Sequence, residues 1–374
     1  MDCPYCKNKD TFVYYDAMMP NILAACPEEM LQYSRSFPIR AALCRKCGLG
    51  YNAQTLTDED LKFIYDNYLF ISPTHNIGRS KYEGMIQTLK KYAGKSDRIV
   101  EIGCSEGYLL TELQKNDYKD LTGIEPGPQA DIARKKGFPL IKDYFTKDTQ
   151  EINDVDIFLL MHVFEHFPDP FSILEAMRDK LSNNGKIIIE VPDFTGYHHQ
   201  HLFYFNPVFV WRLCKDKHLK IIELVQENDA LRFVLVDAKN PEYPEISSRG
   251  SITEIIENAG KIQTDYLKSI KQINDFLNDV NVKPVYWWGT GSASIVLINQ
   301  ISKETREKTQ VIVIDGDASK ADFFVPGVNI KVNSINIIKN KTLDYLVIAS
   351  SFYHEIQVTM KQNNITAKNL LVVY

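Results

Sequence analysis

The feature that most constrains the fold is a strand, turn and helix signature in the middle of the chain, SDRIVEIGCSEGYLLTEL. The apolar run from Arg98 to Ile102 predicts a buried strand, and Gly103 and Gly107 let the backbone bend sharply before a helix. The amino terminus of that helix offers unpaired N–H groups to a ligand. The segment therefore predicts the first strand and the ligand-binding turn of a doubly wound α/β domain.

An acidic residue follows at the end of the next predicted strand. Glu125, in LTGIEPG, lies about 24 residues beyond Glu101, where a carboxylate can accept hydrogen bonds from both hydroxyls of a ribose. The turn E-x-G-x-x-x-G alone is a weak signal, since it also occurs as a plain strand–helix turn. Together with the downstream acid it predicts a nucleoside cofactor. The spacing of the glycines favours S-adenosylmethionine over a dinucleotide, which usually takes the tighter G-x-G-x-x-G turn.

Strand and helix patterns then alternate to the end of the chain. FPLIKDYF, DVDIFLLM and GKIIIEVP predict the third to fifth strands, and LKIIELV and LRFVLVDA predict the last two. Asp143 ends the third strand, where an adenine amino group could donate. Such alternation predicts an α/β fold, a parallel doubly wound sheet with ligands at the strand carboxyl ends.

A long amphipathic helix from Ile252 to Val280 precedes a second, smaller Rossmann-like unit. Its first strand, glycine turn and helix are PVYWWGTGSASIVLINQ, and TQVIVIDGDASK predicts its second strand. The GTGSAS segment either forms a second dinucleotide site or only turns the chain, and its turn, with Gly289, Gly291 and Ser292, is the best candidate for meeting a phosphate.

Histidines concentrate in the loops after the fourth and fifth predicted strands. The residues concerned are Met161, His162, Glu165 and His166 in the first loop, and Tyr197, His198, His199 and His201 in the second. Because the carboxyl ends of parallel strands meet at one edge, we expect the two loops to converge. Imidazole is suited to proton transfer near neutral pH. A packing role for His162 and a solvated role for His199 are the plain alternatives.

Two C-x-x-C knuckles lie near the amino terminus, CPYC and CRKCG. Their four thiols, Cys3, Cys6, Cys44 and Cys47, predict a closed tetrahedral zinc site of structural type. The alternative is a chance pair of redox-type motifs. Seven cysteines without a secretory signal argue against a disulfide scaffold.

Length and charge exclude several classes of function. At 374 residues the chain predicts two or three domains, which we place at residues 1–75, 76–245 and 246–374. A net charge of −5 gives no basic surface for nucleic acid. No apolar run approaches the length of a membrane span, and no apolar signal segment opens the chain. We therefore expect a cytoplasmic protein that binds neither nucleic acid nor membrane.

The motifs VEIGCSEGYLL, GIEPG and MHVFEHFPDP together resemble those of class I S-adenosylmethionine-dependent methyltransferases. The resemblance implies that Glu101 and the glycine turn flank the methionine end of the cofactor, Glu125 its ribose and Asp143 its adenine. The cofactor-binding residues expected on this basis are Glu101, Gly103, Cys104, Gly107, Glu125, Pro126, Asp143, Met161 and His162.

The order of zinc knuckles, DNYLFISPTH, methyltransferase core and HLFYF resembles that of the deoxysugar C-methyltransferases, over essentially the whole chain. That family branches a nucleotide-linked 4-keto sugar, typically at C-3, and its carboxyl-terminal domain helps to hold the nucleotide. The substrate contacts implied here are Tyr68, His199, Gly289, Gly291 and Ser292.

The segment after the fifth strand has the form Y-H-E-H in that family, and its last histidine is the base. Aligned on HLFYF, His201 falls on that base and Gln200 replaces the glutamate. The tyrosine position holds His198, or Tyr197 if one residue is inserted. His166 matches a family histidine in the loop after strand four, and His162 replaces its asparagine.

Methylation of a carbon beside a ketone requires the removal of a carbon-bound proton to give an enolate. We therefore expect His201 to remove that proton, with His166, His198, Tyr197 or His162 supplying orientation and hydrogen bonds. An O- or N-methyltransferase acting on a sugar or a surface-polysaccharide precursor is the alternative enzyme. A non-catalytic module that binds a partner is the alternative outside catalysis.

Overall fold

The computed structural model describes residues 2–54, 56–67, 76–227, 229–247, 250–350 and 352–373. The chain forms two compact units. The first unit comprises Met1–Phe12, Ala42–Asn52 and Phe70–Ile256, and the second comprises Val13–Ala41, Ala53–Leu69 and Glu257–Tyr374. The cysteine knuckles thus belong to the same unit as the central glycine turn. The division at residues 75 and 245 stays a prediction.

Helices and strands alternate along most of the chain. The α-helices are α1 (Asp58–Asp66), α2 (Asn76–Tyr92), α3 (Tyr108–Lys115), α4 (Ala130–Lys135), α5 (Pro170–Asp179), α6 (Pro207–Asp216), α7 (Ile252–Asn278), α8 (Ser292–Asn299), α9 (Lys303–Thr309) and α10 (Tyr353–Gln362). The strands are β1 (Thr11–Pro20), β2 (Ser36–Cys44), β3 (Gly50–Asn52), β4 (Arg98–Ile102), β5 (Asp120–Ile124), β6 (Leu140–Ile141), β7 (Val155–Met161), β8 (Leu181–Pro192), β9 (Phe203–Tyr204), β10 (Leu219–Glu227), β11 (Ala230–Asp237), β12 (Val285–Trp288), β13 (Ile312–Asp315), β14 (Phe324–Val325), β15 (Ile330–Ser334), β16 (Thr342–Ala349) and β17 (Thr366–Val373).

The first unit is built on a seven-stranded sheet of order β10-β11-β8-β7-β4-β5-β6. Strands β4 to β8 pair in parallel, whereas β11 runs antiparallel to both β8 and β10. The predicted parallel α/β sheet is confirmed, and β11 adds one antiparallel strand near its end. Its central strands are apolar on both faces because helices cover both sides of a parallel sheet. Their carboxyl ends form one edge, where the glycine turn and both histidine loops begin.

The second unit contains a six-stranded sheet of order β14-β15-β13-β12-β16-β17, parallel apart from the pairing of β14 with β15. Helix α7 contributes Ile273 and Leu277 to its core, around the fully buried Trp287. The predicted second Rossmann-like unit is therefore confirmed.

A smaller sheet of order β1-β2-β3-β9 involves the amino-terminal segments. Strand β3 pairs antiparallel with β9, so that Gly50 stands opposite Tyr204. The HLFYF segment therefore contributes a strand as well as a histidine. Among the described helices, α7 is the longest, and neither it nor another combines the length and apolarity needed to cross a membrane.

Candidate active site

The turn after β4 has a backbone conformation that requires glycine. Gly103 has φ +76°, and a Cβ atom there would lie 2.4 Å from Cγ2 of Val163 in the loop after β7. Only glycine therefore lets the turn adopt this conformation while the histidine-bearing loop packs against it. Gly107, with φ +71°, leads directly into α3.

The carboxylate of Glu125 spans the same turn at the end of β5. One oxygen accepts a hydrogen bond from the N–H of Ser105 at 3.0 Å, and the other from the N–H of Gly127 at 2.7 Å. Each oxygen keeps a second lone pair for a ligand. Pro126 beside it is exposed, as is Asp143, which follows β6 and accepts a hydrogen bond from its neighbour's N–H. Both predicted acids therefore lie at strand carboxyl ends.

Glu101 is buried under the turn, with 4% of its surface exposed. Its Oε2 atom has no hydrogen-bond partner among the described residues. Burial, with the nearby charge of Glu125, raises the pKa of Glu101 to about 8. A buried acceptor without a partner is rare, and a bound ammonium group would satisfy it. Cys104 points into the core beside Gly123, so any contact it makes with a cofactor comes through its backbone.

His162 follows β7 in the left-handed conformation, with φ +53°. Its Nε2 lies 3.3 Å from Oε1 of Glu190, at the end of β8, and its Nδ1 lies 3.9 Å from Oε1 of Glu165. Glu190 accepts a hydrogen bond from Arg232 at 2.6 Å, which fixes its carboxylate. Burial alone would raise the pKa of Glu190, but His162 and Arg232 outweigh it and lower that pKa. Met161, which ends β7, is half-buried.

His166 and His201 are oriented by backbone carbonyl groups. Nδ1 of His166 lies 2.9 Å from the carbonyl oxygen of Gln200, and Nδ1 of His201 lies 2.6 Å from that of Gly196. Because a carbonyl oxygen only accepts, each Nδ1 carries the proton and each neutral ring keeps its lone pair on Nε2. These Nε2 atoms lie 3.7 and 3.8 Å from Oε1 of Glu165.

Glu165 is the most buried acid of the site, at 1% exposure, and neither of its carboxylate oxygens has a hydrogen-bond partner in the described part of the chain. Burial raises its pKa, against the opposing effect of His166 and His162. The sequence pattern predicted no role for Glu165, Glu190 or Arg232. Two signals were available in the sequence. Glu190 ends the apolar run IIIE, and Arg232 lies within the apolar run LRFVLV.

The other residues of the second loop surround this cluster. The N–H of Gln200 donates to Nδ1 of His198 at 3.3 Å, which leaves the proton of a neutral His198 on Nε2. Burial, with His199 and His166, lowers the pKa of His198 to about 3. Burial likewise lowers the pKa of His201 well below its usual value. His199 is fully buried.

The structure brings His162, His166, His198 and His201 to one edge of the sheet, as predicted. The Tyr197 ring packs edge-on against Tyr204. Tyr68, a predicted substrate contact, lies outside the described residues.

The four knuckle cysteines converge. The Sγ atoms of Cys3 and Cys47 lie 3.6 Å apart, as do those of Cys6 and Cys44, and all four lie within 4.8 Å of one another. Sulfurs bound tetrahedrally to zinc at about 2.3 Å are about 3.8 Å apart, so the four thiols fit that ion. Tyr5, between the first two cysteines, donates to Asp216 at the end of α6.

The second unit has its own cavity, of about 400 Å³, at the carboxyl ends of β12, β13 and β16. Gly289, Gly291, Ser292 and Asp315 line it, with Phe352 as an exposed apolar wall. A cavity of this size can hold a small ligand. The predicted phosphate-binding turn therefore faces open space.

Comparisons with known proteins agree with this geometry. Residues 75–232 match the family model described as "Methyltransferase domain". This part of the chain is a class I S-adenosylmethionine-dependent methyltransferase domain, as its sheet order and glycine turn also indicate.

Curated relatives match only part of the chain. A "tRNA U34 carboxymethyltransferase" of Helicobacter pylori (strain Shi470) is 24% identical over 110 residues, 26% of this chain and 41% of that protein. A "Ubiquinone biosynthesis O-methyltransferase" of Shewanella pealeana is 25% identical over 123 residues, 31% of this chain and 51% of that protein. The chain thus spans about half or less of the length of these relatives.

Among solved structures, a SAM-dependent methyltransferase from Aquifex aeolicus aligns with 40% of this chain and 87% of its own, at 14% identity. Its TM-score of 0.35 is too low to carry an argument.

Proposed function

We propose that this protein transfers a methyl group from S-adenosylmethionine to a nucleotide-activated ketodeoxysugar, at a carbon beside the ketone. The supporting observation is the group of oriented histidines and buried glutamates at the carboxyl ends of β7 and β8, next to the glycine turn that follows β4. A hydroxyl acceptor is already a nucleophile and needs little help. Removal of a carbon-bound proton needs both a positioned base and donors for the enolate oxygen.

The cofactor residues of this chain are suited to their expected roles. Glu125 has lone pairs for ribose hydroxyls, and the unpartnered oxygen of Glu101 can accept from the ammonium group of a methionine moiety. When bound, S-adenosylmethionine supplies an electrophilic methyl group on a sulfonium centre.

We assign proton removal to His162 rather than to His201. A buried carboxylate, Glu190, lies against Nε2 of His162 and would stabilise the ring when it becomes charged. Nδ1 is then the nitrogen that accepts the proton. Nδ1 of His162 and Nε2 of His201 both lie within 3.9 Å of Oε1 of Glu165. The other nitrogen of His201, however, faces the uncharged carbonyl group of Gly196 rather than a carboxylate.

The enolate oxygen also needs a donor. His198 is suited to this role, because the Gln200 N–H occupies its Nδ1 and leaves an N–H on Nε2. Electrostatic stabilisation of a developing oxyanion is often the largest single contribution to catalysis.

The cavity of the second unit is proposed to take the phosphates of a nucleotide. A Cβ atom at Gly291 would meet nothing within 4 Å, so packing does not require a glycine there and the space is open to a phosphate. The turn leads into α8, whose first N–H groups can donate to an anion.

Zinc at the four cysteines is proposed as a structural ion. Four thiolates fill a tetrahedral shell and leave no open position for chemistry. Purified protein should carry one tightly held zinc ion per chain, bound by sulfur only, and Cys44→Ser should lose it together with solubility. X-ray absorption that finds nitrogen or oxygen ligands at this ion would exclude the four-thiolate site.

Deuterium exchange tests the main proposal. A panel of 4-ketodeoxysugars linked to nucleoside diphosphates is incubated in D₂O with the full chain and S-adenosylhomocysteine. Wild type should exchange the proton at the carbon that becomes methylated. In a parallel incubation with S-adenosylmethionine in place of S-adenosylhomocysteine, methyl transfer to oxygen or nitrogen without exchange at carbon would replace the proposal by the alternative methyltransferase.

The base is tested with a matched pair of variants. His162→Asn should lose about 10²- to 10⁴-fold in turnover, the usual contribution of a positioned general base. His218→Asn makes the same change at an exposed histidine that also has a positive φ, of +56°, and should leave turnover unchanged. Asparagine tolerates the left-handed conformation at both sites. Turnover of His162→Asn within a factor of about two of wild type would exclude His162 as the base.

A further inference from the structure

We propose that Glu165, His166 and His201 bind one divalent transition-metal ion, distinct from the ion at the four cysteines. These three residues, called here the Glu–His–His cluster, place one oxygen and two nitrogen atoms within 4.8 Å of one another. The inference goes beyond the proposed function, since it does not depend on which acceptor is methylated.

The first argument is the state of the carboxylate. Glu165 is 99% buried, and both of its oxygens lack a hydrogen-bond partner among the described residues. An ionised carboxylate without a partner in such surroundings is costly, because burial removes the water that would stabilise its charge. Buried charges in proteins are paired or coordinate a metal. A cation at the cluster would remove this cost.

The second argument is the direction of the lone pairs. The carbonyl groups of Gln200 and Gly196 hold the ring protons of His166 and His201 on Nδ1. Both Nε2 lone pairs therefore lie on the side of Glu165, and two imidazole nitrogens converge on one buried carboxyl group. Histidines that bind metals almost always donate their other N–H to a carbonyl or a carboxylate, as both of these do.

The distances allow an ion with little rearrangement. Ligand atoms at 2.0–2.2 Å from a metal are about 3–3.6 Å from one another. The Nε2 atoms of His166 and His201 lie 3.7 and 3.8 Å from Oε1 of Glu165. Small side-chain rotations would close this difference. The cluster is held in place because the N–H of Leu202 donates to the carbonyl oxygen of Glu165 at 2.9 Å, which joins the two loops.

The ligand set indicates the kind of ion. Two imidazoles and one carboxylate suit zinc and the other divalent first-row ions, and three protein ligands leave an open coordination position. The four-cysteine site is closed. Nδ1 of His162 lies 3.9 Å from the carboxylate of the cluster, so an ion there would lie close to the proposed base.

Cobalt(II) is the probe. The full chain, with its cysteines filled by zinc, is titrated with Co²⁺ and followed by visible spectroscopy and calorimetry. Wild type should bind one further equivalent, with the weak bands of nitrogen and oxygen ligands and without sulfur charge-transfer bands. Glu165→Gln keeps the shape of the side chain and removes its charge, and should weaken this binding by about 100-fold or more.

The controls separate loss of the ion from loss of the fold. Glu165→Gln should still bind S-adenosylhomocysteine, and its melting temperature without added metal should equal or exceed that of wild type. His166→Asn should also lose the ion, whereas His218→Asn should bind Co²⁺ as wild type does. Failure of wild type to bind a second equivalent, equal affinity in Glu165→Gln, or a thiolate spectrum would each overturn the proposal. If deuterium exchange takes place in the absence of the ion, the proposed function stands even where the metal site fails. The metal proposal and the proposed function can therefore fail separately.

Discussion

Each of the two units places a glycine turn between a buried strand and a helix, but the polar groups around the two turns are satisfied differently. In the second unit Nε1 of Trp287 donates to Oγ of Ser294, which in turn donates to the carbonyl oxygen of Gly289. In the first unit, one oxygen of Glu101 and both oxygens of Glu165 have no such partner among the described residues.

The difference separates a scaffold from a reaction centre. A strand, glycine turn and helix can be built with the buried polar side chains of the turn paired, as they are among the described residues of the second unit, and it then offers shape and backbone donors to a ligand. The first unit keeps buried carboxylates that only a cation would satisfy. Because such groups are costly without a ligand, they indicate where the chemistry takes place more reliably than the glycine turn does.

Replacement of one glycine in each turn should give the largest contrast. Gly103→Ala forces a Cβ into the left-handed conformation and against Val163, and should lower the free energy of unfolding of the first unit by about 2–4 kcal/mol. Gly291→Ala meets no atom within 4 Å and should change stability little while it weakens nucleotide binding. Urea unfolding measures both. Equal losses in the two variants would contradict the comparison.

Glu101→Gln should weaken binding of S-adenosylhomocysteine by roughly 10- to 100-fold, because a charged hydrogen bond is worth about 1.5–3 kcal/mol. Calorimetry measures the affinity. Glu151→Gln, at an exposed position, is the matched control and should bind normally. Unchanged affinity in Glu101→Gln would mean that the buried oxygen does not face the cofactor.

The same residue predicts a dependence on pH. The pKa of Glu101 is about 8 in the folded protein and 4.5 is its ordinary value, so the folded state binds more protons between these limits. The stability of the free wild-type protein should therefore fall as the pH rises from about 4.5 to about 8, and level off above that. Its affinity for the cofactor should rise over the upper part of this range, as the carboxyl ionises. Glu101→Gln should lack both contributions.

Ser294→Ala tests the paired turn, with a smaller effect. The change leaves the buried N–H of Trp287 without an acceptor, which costs about 1–3 kcal/mol. Ser292→Ala, two residues earlier and exposed, should be neutral in thermal unfolding. No loss in Ser294→Ala would show that the second unit tolerates an unpaired polar group after all.

The sequence predicted the parts of this fold that depend on local pattern. Apolar runs such as Val155 to Met161 predict buried strands, and the acid at Glu125 follows its strand at the expected distance. The convergence of His166 and His201 follows from the parallel sheet alone, since both follow strands that end at the same edge.

The roles of individual side chains could not be predicted in the same way. The proton positions on His166 and His201 depend on the carbonyl groups of Gln200 and Gly196, which no residue pattern specifies. The position of His162 depends on Glu190, 28 residues further along the chain in the neighbouring strand, whose carbonyl oxygen accepts a hydrogen bond from the N–H of His162 at 2.8 Å. Such contacts exist only after the strands have paired, so they require the tertiary structure.

The pairing of β3 with β9 has a consequence for synthesis of the protein. At about 5–20 residues per second, the roughly 150 residues between Gly50 and Tyr204 take about 8–30 s to leave the ribosome. During that time one edge of β3 has no strand to pair with. The last of the four cysteines is made far earlier, at Cys47, so all four thiols of the proposed zinc site are present while the partner strand of β3 is still being translated.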